Sequence, residues 1–115
     1  MGKIKIYHNN SCSKSRTALK EITQSGNEFE VINYLVDVPS IADLERIIAK
    51  LNIKPLDLVR KTEKIYIENF KGKDLSDEDW IVVLHENPIL IQRPIVVNGS
   101  VAVIARSEEE LDKVI

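Results

Sequence analysis

The most constraining feature of this sequence is where its strand patterns fall. Two lie near the beginning, parted by a helical pattern, and two lie near the end around Asn98-Gly99. Ile4 and Ile6 alternate with Lys3 and Lys5, the period of a half-buried strand. Thr17, Ala18, Leu19 and Ile22 then follow a helical period that stops near Ser25, with Gly26 as the helix stop. A second strand is expected at about Phe29 to Leu35, and a helix between two strands calls for a right-handed parallel crossover. Ile95-Val96-Val97 and Val101 to Ile104 flank Asn98-Gly99, a strong short-range hairpin signal, so these strands are expected to be antiparallel neighbours.

The middle of the chain reads as helices. Ser40 and Asp43 have the spacing of a capping box, ahead of an apolar stripe at Ile41, Leu44, Ile47, Ile48 and Leu51. A shorter helix is expected from Pro55, with Arg60 near its end, and a weaker one over Glu63 to Phe70. Ser76 with Asp79 opens another through Trp80, Val83 and Leu84, ended by Asn87-Pro88, and Ser107 with Glu110 caps a last helix after Arg106. The order βαβ, helices, ββα is that of an α/β, thioredoxin-like domain. It implies a four-stranded mixed sheet in a single domain over 1–115, with a helical insertion at approximately 40–87.

A chain of 115 residues supports one hydrophobic core, and a net charge of -2 gives no basic excess for a phosphate backbone, so nucleic acid is not an expected partner. The start alternates rather than forming an apolar leader, and Ile6 stands where an acylation signal at Gly2 needs Ser or Thr. The longest apolar runs, such as Ile81 to Leu84, are far too short to span a bilayer, so no membrane association is expected. The single cysteine cannot close an internal disulfide, which fits a reducing compartment and a cytoplasmic location. No ligand spacing involves His8 or His85, so no metal is expected, and no clustered glycines suggest a nucleotide cofactor.

That cysteine, Cys12, sits in Tyr7-His-Asn-Asn-Ser-Cys-Ser-Lys-Ser-Arg-Thr17, where the first strand ends and the helix begins. A thiol is nucleophilic as its thiolate, and a helix N-terminus or a nearby cation favours that form. Lys14 and Arg16 lie within about one turn, and the flanking Asn9, Asn10, Ser11 and Ser13 make poor core neighbours. Ser15 is expected either to donate to the sulfur or to cap the helix, and His8 to contribute positive charge, to orient the loop or to be solvated. The spacing from Cys12 to Arg16 is too short for a phosphate loop of the tyrosine-phosphatase kind.

The stretch Tyr7 to Arg16, together with Leu90-Ile-Gln-Arg-Pro-Ile-Val-Val97 and Arg106-Ser107, resembles the arsenate reductase family coupled to glutathione and glutaredoxin. The resemblance covers nearly the whole chain. It implies that Cys12 is the catalytic cysteine, that Pro94 is a cis-proline, and that Arg60, Arg93 and Arg106 hold the oxyanion. Guanidinium groups suit that task because they stay charged and offer paired donors. The implied partners are arsenate or a related oxyanion, glutathione as co-substrate and glutaredoxin, with no bound cofactor. The implied role is arsenic detoxification.

Asn10 stands where many members of that family carry proline, and the Asn98-Gly99 hairpin is tighter than its counterpart in well-known reductases. Two other readings use the same fold. One is a glutathione-dependent thiol reductase acting on another substrate. The other is an Spx-like regulator that binds RNA polymerase, disfavoured because Ser15 occupies the second position of that group's Cys-x-x-Cys switch.

Overall fold

The structure, a computed structural model, describes residues 3–115, so the reading of Gly2 falls outside the described residues. In chain order the elements are β1 (Ile4–His8), α1 (Ser13–Gln24), β2 (Phe29–Asn33) and α2 (Ile41–Leu51). A 3-10 turn at Pro55–Leu58, α3 (Lys64–Asn69), α4 (Asp77–Glu86) and a 3-10 turn at Pro88–Leu90 follow. The chain closes with β3 (Ile95–Asn98), β4 (Val101–Ile104) and α5 (Glu108–Asp112). These elements form two compact units. The chain up to Asp37 joins Arg93–Ile115 in one, and Val38–Gln92 forms the other. The second unit is therefore wider at both ends than the insertion expected at 40–87.

The first unit is an α/β thioredoxin-like arrangement around a four-stranded mixed sheet in the order β2-β1-β3-β4. β1 lies parallel to β2, with Ile4 opposite Phe29 and His8 opposite Asn33, and antiparallel to β3, with Tyr7 opposite Ile95. Ile4, Ile6, Val96 and Val103 from the sheet, Ala18 and Ile22 from α1, and Leu111 and Val114 form its buried core. Full burial of an aliphatic side chain of this size contributes about 2 kcal/mol, so β1 and α1 are fixed mainly by their apolar faces. α1 stops at Gly26, whose φ of 80° lies in the left-handed region that other residues avoid.

In the sheet, two boundaries differ from the sequence pattern because of an asparagine; in the second unit, the helix expected from Pro55 is a 3-10 turn that ends at Leu58, ahead of Arg60. β2 ends at Asn33 rather than Leu35, because the Asn33 carbonyl accepts from the N–H groups of Val36 at 3.0 Å and Asp37 at 2.8 Å. The Asn33 side chain also accepts from Leu35 N at 3.3 Å, so the strand turns there. At the hairpin, Asn98 pairs with Val101, which leaves Gly99 and Ser100 as the two loop residues. Gly99 has φ of 62° and Asn98 has no positive φ, the pattern of a type II′ turn with glycine first rather than a type I′ turn over Asn98-Gly99. Asn98 serves elsewhere, donating from Nδ2 to the Val114 carbonyl at 2.7 Å.

In the second unit α2 packs on α4 through buried Leu44, Ile47 and Ile48 on one side and Trp80, Ile81, Val83 and Leu84 on the other. The Trp80 ring meets Tyr66 at 6.3 Å and Phe70 edge-on at 6.2 Å, which holds α3 against α4. The segments around the two 3-10 turns are joined by a bridge between Val59 and Ile91 and by Gln92 N donating to Leu58 O at 2.9 Å. No helix among the described residues is long and apolar enough to cross a membrane.

The capping box of α2 is complete. Asp43 N donates to Ser40 Oγ at 3.0 Å, and Ser40 N donates to Asp43 Oδ2 at 3.3 Å. Slight burial raises the Asp43 carboxyl, but Ser40 and the Arg46 guanidinium outweigh it and hold the acid below its ordinary value. Its contribution to stability is therefore present above the ordinary carboxylate range and is lost as pH falls through the lowered folded value. Ser40→Ala is expected to cost about 1 kcal/mol in urea denaturation at neutral pH. An unchanged midpoint would show that the cap does not support this helix.

Candidate active site

The site is built where β1 gives way to α1. Asn9 follows the strand and fixes the loop with three hydrogen bonds. Its carbonyl accepts from Cys12 N at 3.0 Å, its side-chain Oδ1 accepts from Ser11 N at 2.9 Å, and its own N–H donates to Ser15 Oγ at 3.0 Å. Asn9 is 6% exposed, so these bonds are shielded from competing water. The sequence reading grouped Asn9 with poor core neighbours; a buried asparagine is stable here because the loop satisfies it.

Cys12 takes the N-cap position of α1, with extended backbone angles of φ -99° and ψ 122°. The N–H groups of the second and third helical residues, Lys14 and Ser15, are those an N-cap side chain normally meets. Partial burial pushes the Cys12 thiol up. The Ser15 N–H, the Arg93 guanidinium and the Lys14 N–H together outweigh that effect and hold it below the ordinary thiol value. The cation at the sulfur is thus Arg93, brought from the far end of the sequence. Lys14 contributes its backbone, and Arg16 is turned back onto the loop, donating from Nη1 to the Asn10 carbonyl at 2.8 Å.

Arg93 immediately precedes Pro94, and the peptide between them is cis. Pro94 lies at the mouth of β3, and its carbonyl accepts from Ala105 N at 2.8 Å. Ser15 and His8 lie beneath the loop, 0% and 6% exposed, with Ser15 Oγ 2.8 Å from His8 Nδ1. The Ser15 hydroxyl is therefore engaged by His8 and Asn9, and it is the Ser15 N–H that favours the thiolate. Neither the expected hydroxyl–sulfur bond nor helix capping describes this side chain.

The other two expected arginines are placed differently. Arg106 follows β4 and, with Lys14, Thr17, Glu21 and Glu108, lines a groove of about 230 Å³ between α1 and α5. Arg60 belongs to the second unit. There its N–H donates to Leu90 O, and its Nε lies 3.3 Å from Glu63 Oε2 and 3.5 Å from Thr62 Oγ1.

Besides Asn9, sequence reasoning missed Tyr34. It is fully buried just beyond β2, and its hydroxyl faces the Asn9 and Arg93 side chains without a well-aligned hydrogen bond. Burial raises the pKa of that phenol against the opposing effect of Asn9 and Arg93, so it stays protonated.

A profile described as the ArsC family matches residues 7–114. A protein named arsenate reductase from Acidiphilium multivorum is 43% identical over 98 residues, covering 84% of this chain and 70% of that protein. An uncharacterized protein, YfgD of Escherichia coli strain K12, is 37% identical over 116 residues, covering 97% and 96%. Among solved structures, an arsenate reductase from Vibrio cholerae superposes with a TM-score of 0.92 at 35% identity, covering 98% of each chain.

The lowered Cys12 value has a direct readout. The rate of alkylation by iodoacetamide should rise with pH through a midpoint below that of an ordinary thiol, because the thiolate is the reacting form. Arg93→Ala should move this midpoint upward, since burial is then less opposed. A midpoint unmoved by the substitution would remove Arg93 from the sulfur's environment.

Proposed function

The chain belongs to the ArsC family, and from that premise we propose that it is a thiol-dependent arsenate reductase with Cys12 as its nucleophile. The observation that carries this reading is a partly exposed thiol held below its ordinary value by helix N–H groups and an arginine. Groups that favour a sulfur anion also favour an incoming oxyanion. Arg93 and Arg106 supply its counter-charge, and His8 and Ser15 support the thiolate by holding the loop.

In this reaction the Cys12 thiolate attacks arsenic(V), forming a sulfur–arsenic bond while one oxygen leaves as water after protonation. Arginine donors offset the charge on the remaining oxygens. Glutathione then displaces a second oxygen, so that arsenic carries two sulfurs. Attack by a glutaredoxin thiolate on the glutathione sulfur passes the bonding pair to arsenic, giving arsenic(III) and a glutathione–glutaredoxin mixed disulfide. Water releases arsenite and restores the Cys12 thiol. A single cysteine per chain requires both electrons to come from outside thiols, which suits a reducing cytoplasm.

With glutathione and glutaredoxin supplied, the wild type should reduce arsenate and Cys12→Ser should not. Arg106→Ala should raise the KM for arsenate by about tenfold, the loss of one charge-assisted contact, with little change in thermal stability. Absence of arsenate turnover in the wild type would sink the proposal. Cys12-dependent turnover of glutathione mixed disulfides in its place would assign the chain to thiol reductases.

A further inference from the structure

The pairing of three strands brings together residues that no local motif connects. β1 and β2 run parallel with His8 opposite Asn33, so the next residues, Asn9 and Tyr34, leave the sheet side by side. β1 and β3 run antiparallel with Tyr7 opposite Ile95, so the same register carried two residues further sets Asn9 beside Arg93. Tyr34, Asn9 and Arg93 thus form a row across one end of the sheet, with Cys12 tied to Asn9 by a 3.0 Å backbone hydrogen bond. Tyr34 is 0% exposed, and its hydroxyl looks onto Asn9 and Arg93.

A buried phenol that fails to form a well-aligned hydrogen bond is a poor stabilising device, since phenylalanine would fill the same space with no polar group to desolvate. The apolar requirement of the position does not explain the hydroxyl. Its neighbours do. A neutral hydroxyl against a guanidinium restricts where that cation sits without cancelling its charge, whereas a carboxylate in the same place would neutralise it and compete with the sulfur.

We propose that Tyr34 is a positioning residue, whose buried hydroxyl, with Asn9, steers the Arg93 guanidinium onto the Cys12 sulfur. It acts through Arg93 and touches neither thiol nor substrate. Its burial keeps it a neutral hydroxyl through the pH range in which Cys12 ionises. The inference concerns how the thiolate is sustained and does not depend on which oxyanion the thiolate meets.

The test is a double-mutant cycle with Tyr34→Phe and Arg93→Ala, read by the pH profile of Cys12 alkylation and by thermal denaturation. Tyr34→Phe should move the alkylation midpoint upward and slow the reaction severalfold at neutral pH, with a melting temperature equal to or above that of the wild type. Adding Tyr34→Phe to Arg93→Ala should produce no further movement. An unmoved midpoint in the single variant would overturn the proposal, whatever the melting temperature. So would an equal, additive movement in the Arg93→Ala background, which would make Tyr34 act independently of Arg93. Alkylation needs no arsenate, so this inference and the proposed reaction can fail separately.

Discussion

The constraint on which the site depends is the double pairing of β1. A strand that lies parallel to β2 on one side and antiparallel to β3 on the other has its register set twice. A slip of one residue against either neighbour would turn Ile4 and Ile6 out of the core, at about 2 kcal/mol for each aliphatic side chain exposed. The apolar faces of three strands therefore decide, at a distance, where the residues beyond the strand ends meet. The chemistry at Cys12 inherits that precision without supplying it.

At the sulfur two effects oppose each other. Partial removal from water disfavours the anion, while helix N–H groups and a guanidinium favour it. Hydrogen bonds to charged groups contribute about 1.5–3 kcal/mol when shielded and less at a partly exposed atom, and a helix start adds roughly 0.3–1 kcal/mol. Several such contacts exceed the desolvation of a sulfur that keeps part of its surface in water. Deeper burial would raise the opposing cost faster than the contacts grow, and full exposure would screen them. An intermediate position at a helix start favours the charged form of a thiol that is still reachable.

Much of this was legible in the sequence, and the parts that were not share one cause. The alternation at Ile4 and Ile6, the helical stripe ending at Gly26, and the cap at Ser40 are local patterns, and the chain folds as they indicate. Cys12 at a helix start was equally local. The cation at its sulfur was not: Lys14 and Arg16 are near in sequence, but Lys14 contributes only its backbone N–H and the Arg16 guanidinium is bound to the Asn10 carbonyl, while Arg93 arrives just ahead of β3. Asn9 and Tyr34 acquire their surroundings from strand register, which no short window contains. Asn98-Gly99 marked the hairpin correctly yet not its loop, because Asn98 was retained as a strand residue whose side chain holds Val114.

Ser15 shows how the same geometry limits the chemistry available to this fold. It stands three residues after Cys12, where a second thiol would complete an internal redox pair. Its side chain is fully buried, accepts from Asn9 N and lies 2.8 Å from His8 Nδ1, so it belongs to the framework under the loop. A sulfur placed there would be larger and a weaker hydrogen-bonding group, and the loop carrying Cys12 would lose part of its support. The position where a second thiol would stand is thus the one that supports the loop carrying Cys12. With Cys12 the single cysteine of the sequence and Ser15 committed to this framework, an internal disulfide has no second sulfur to close on.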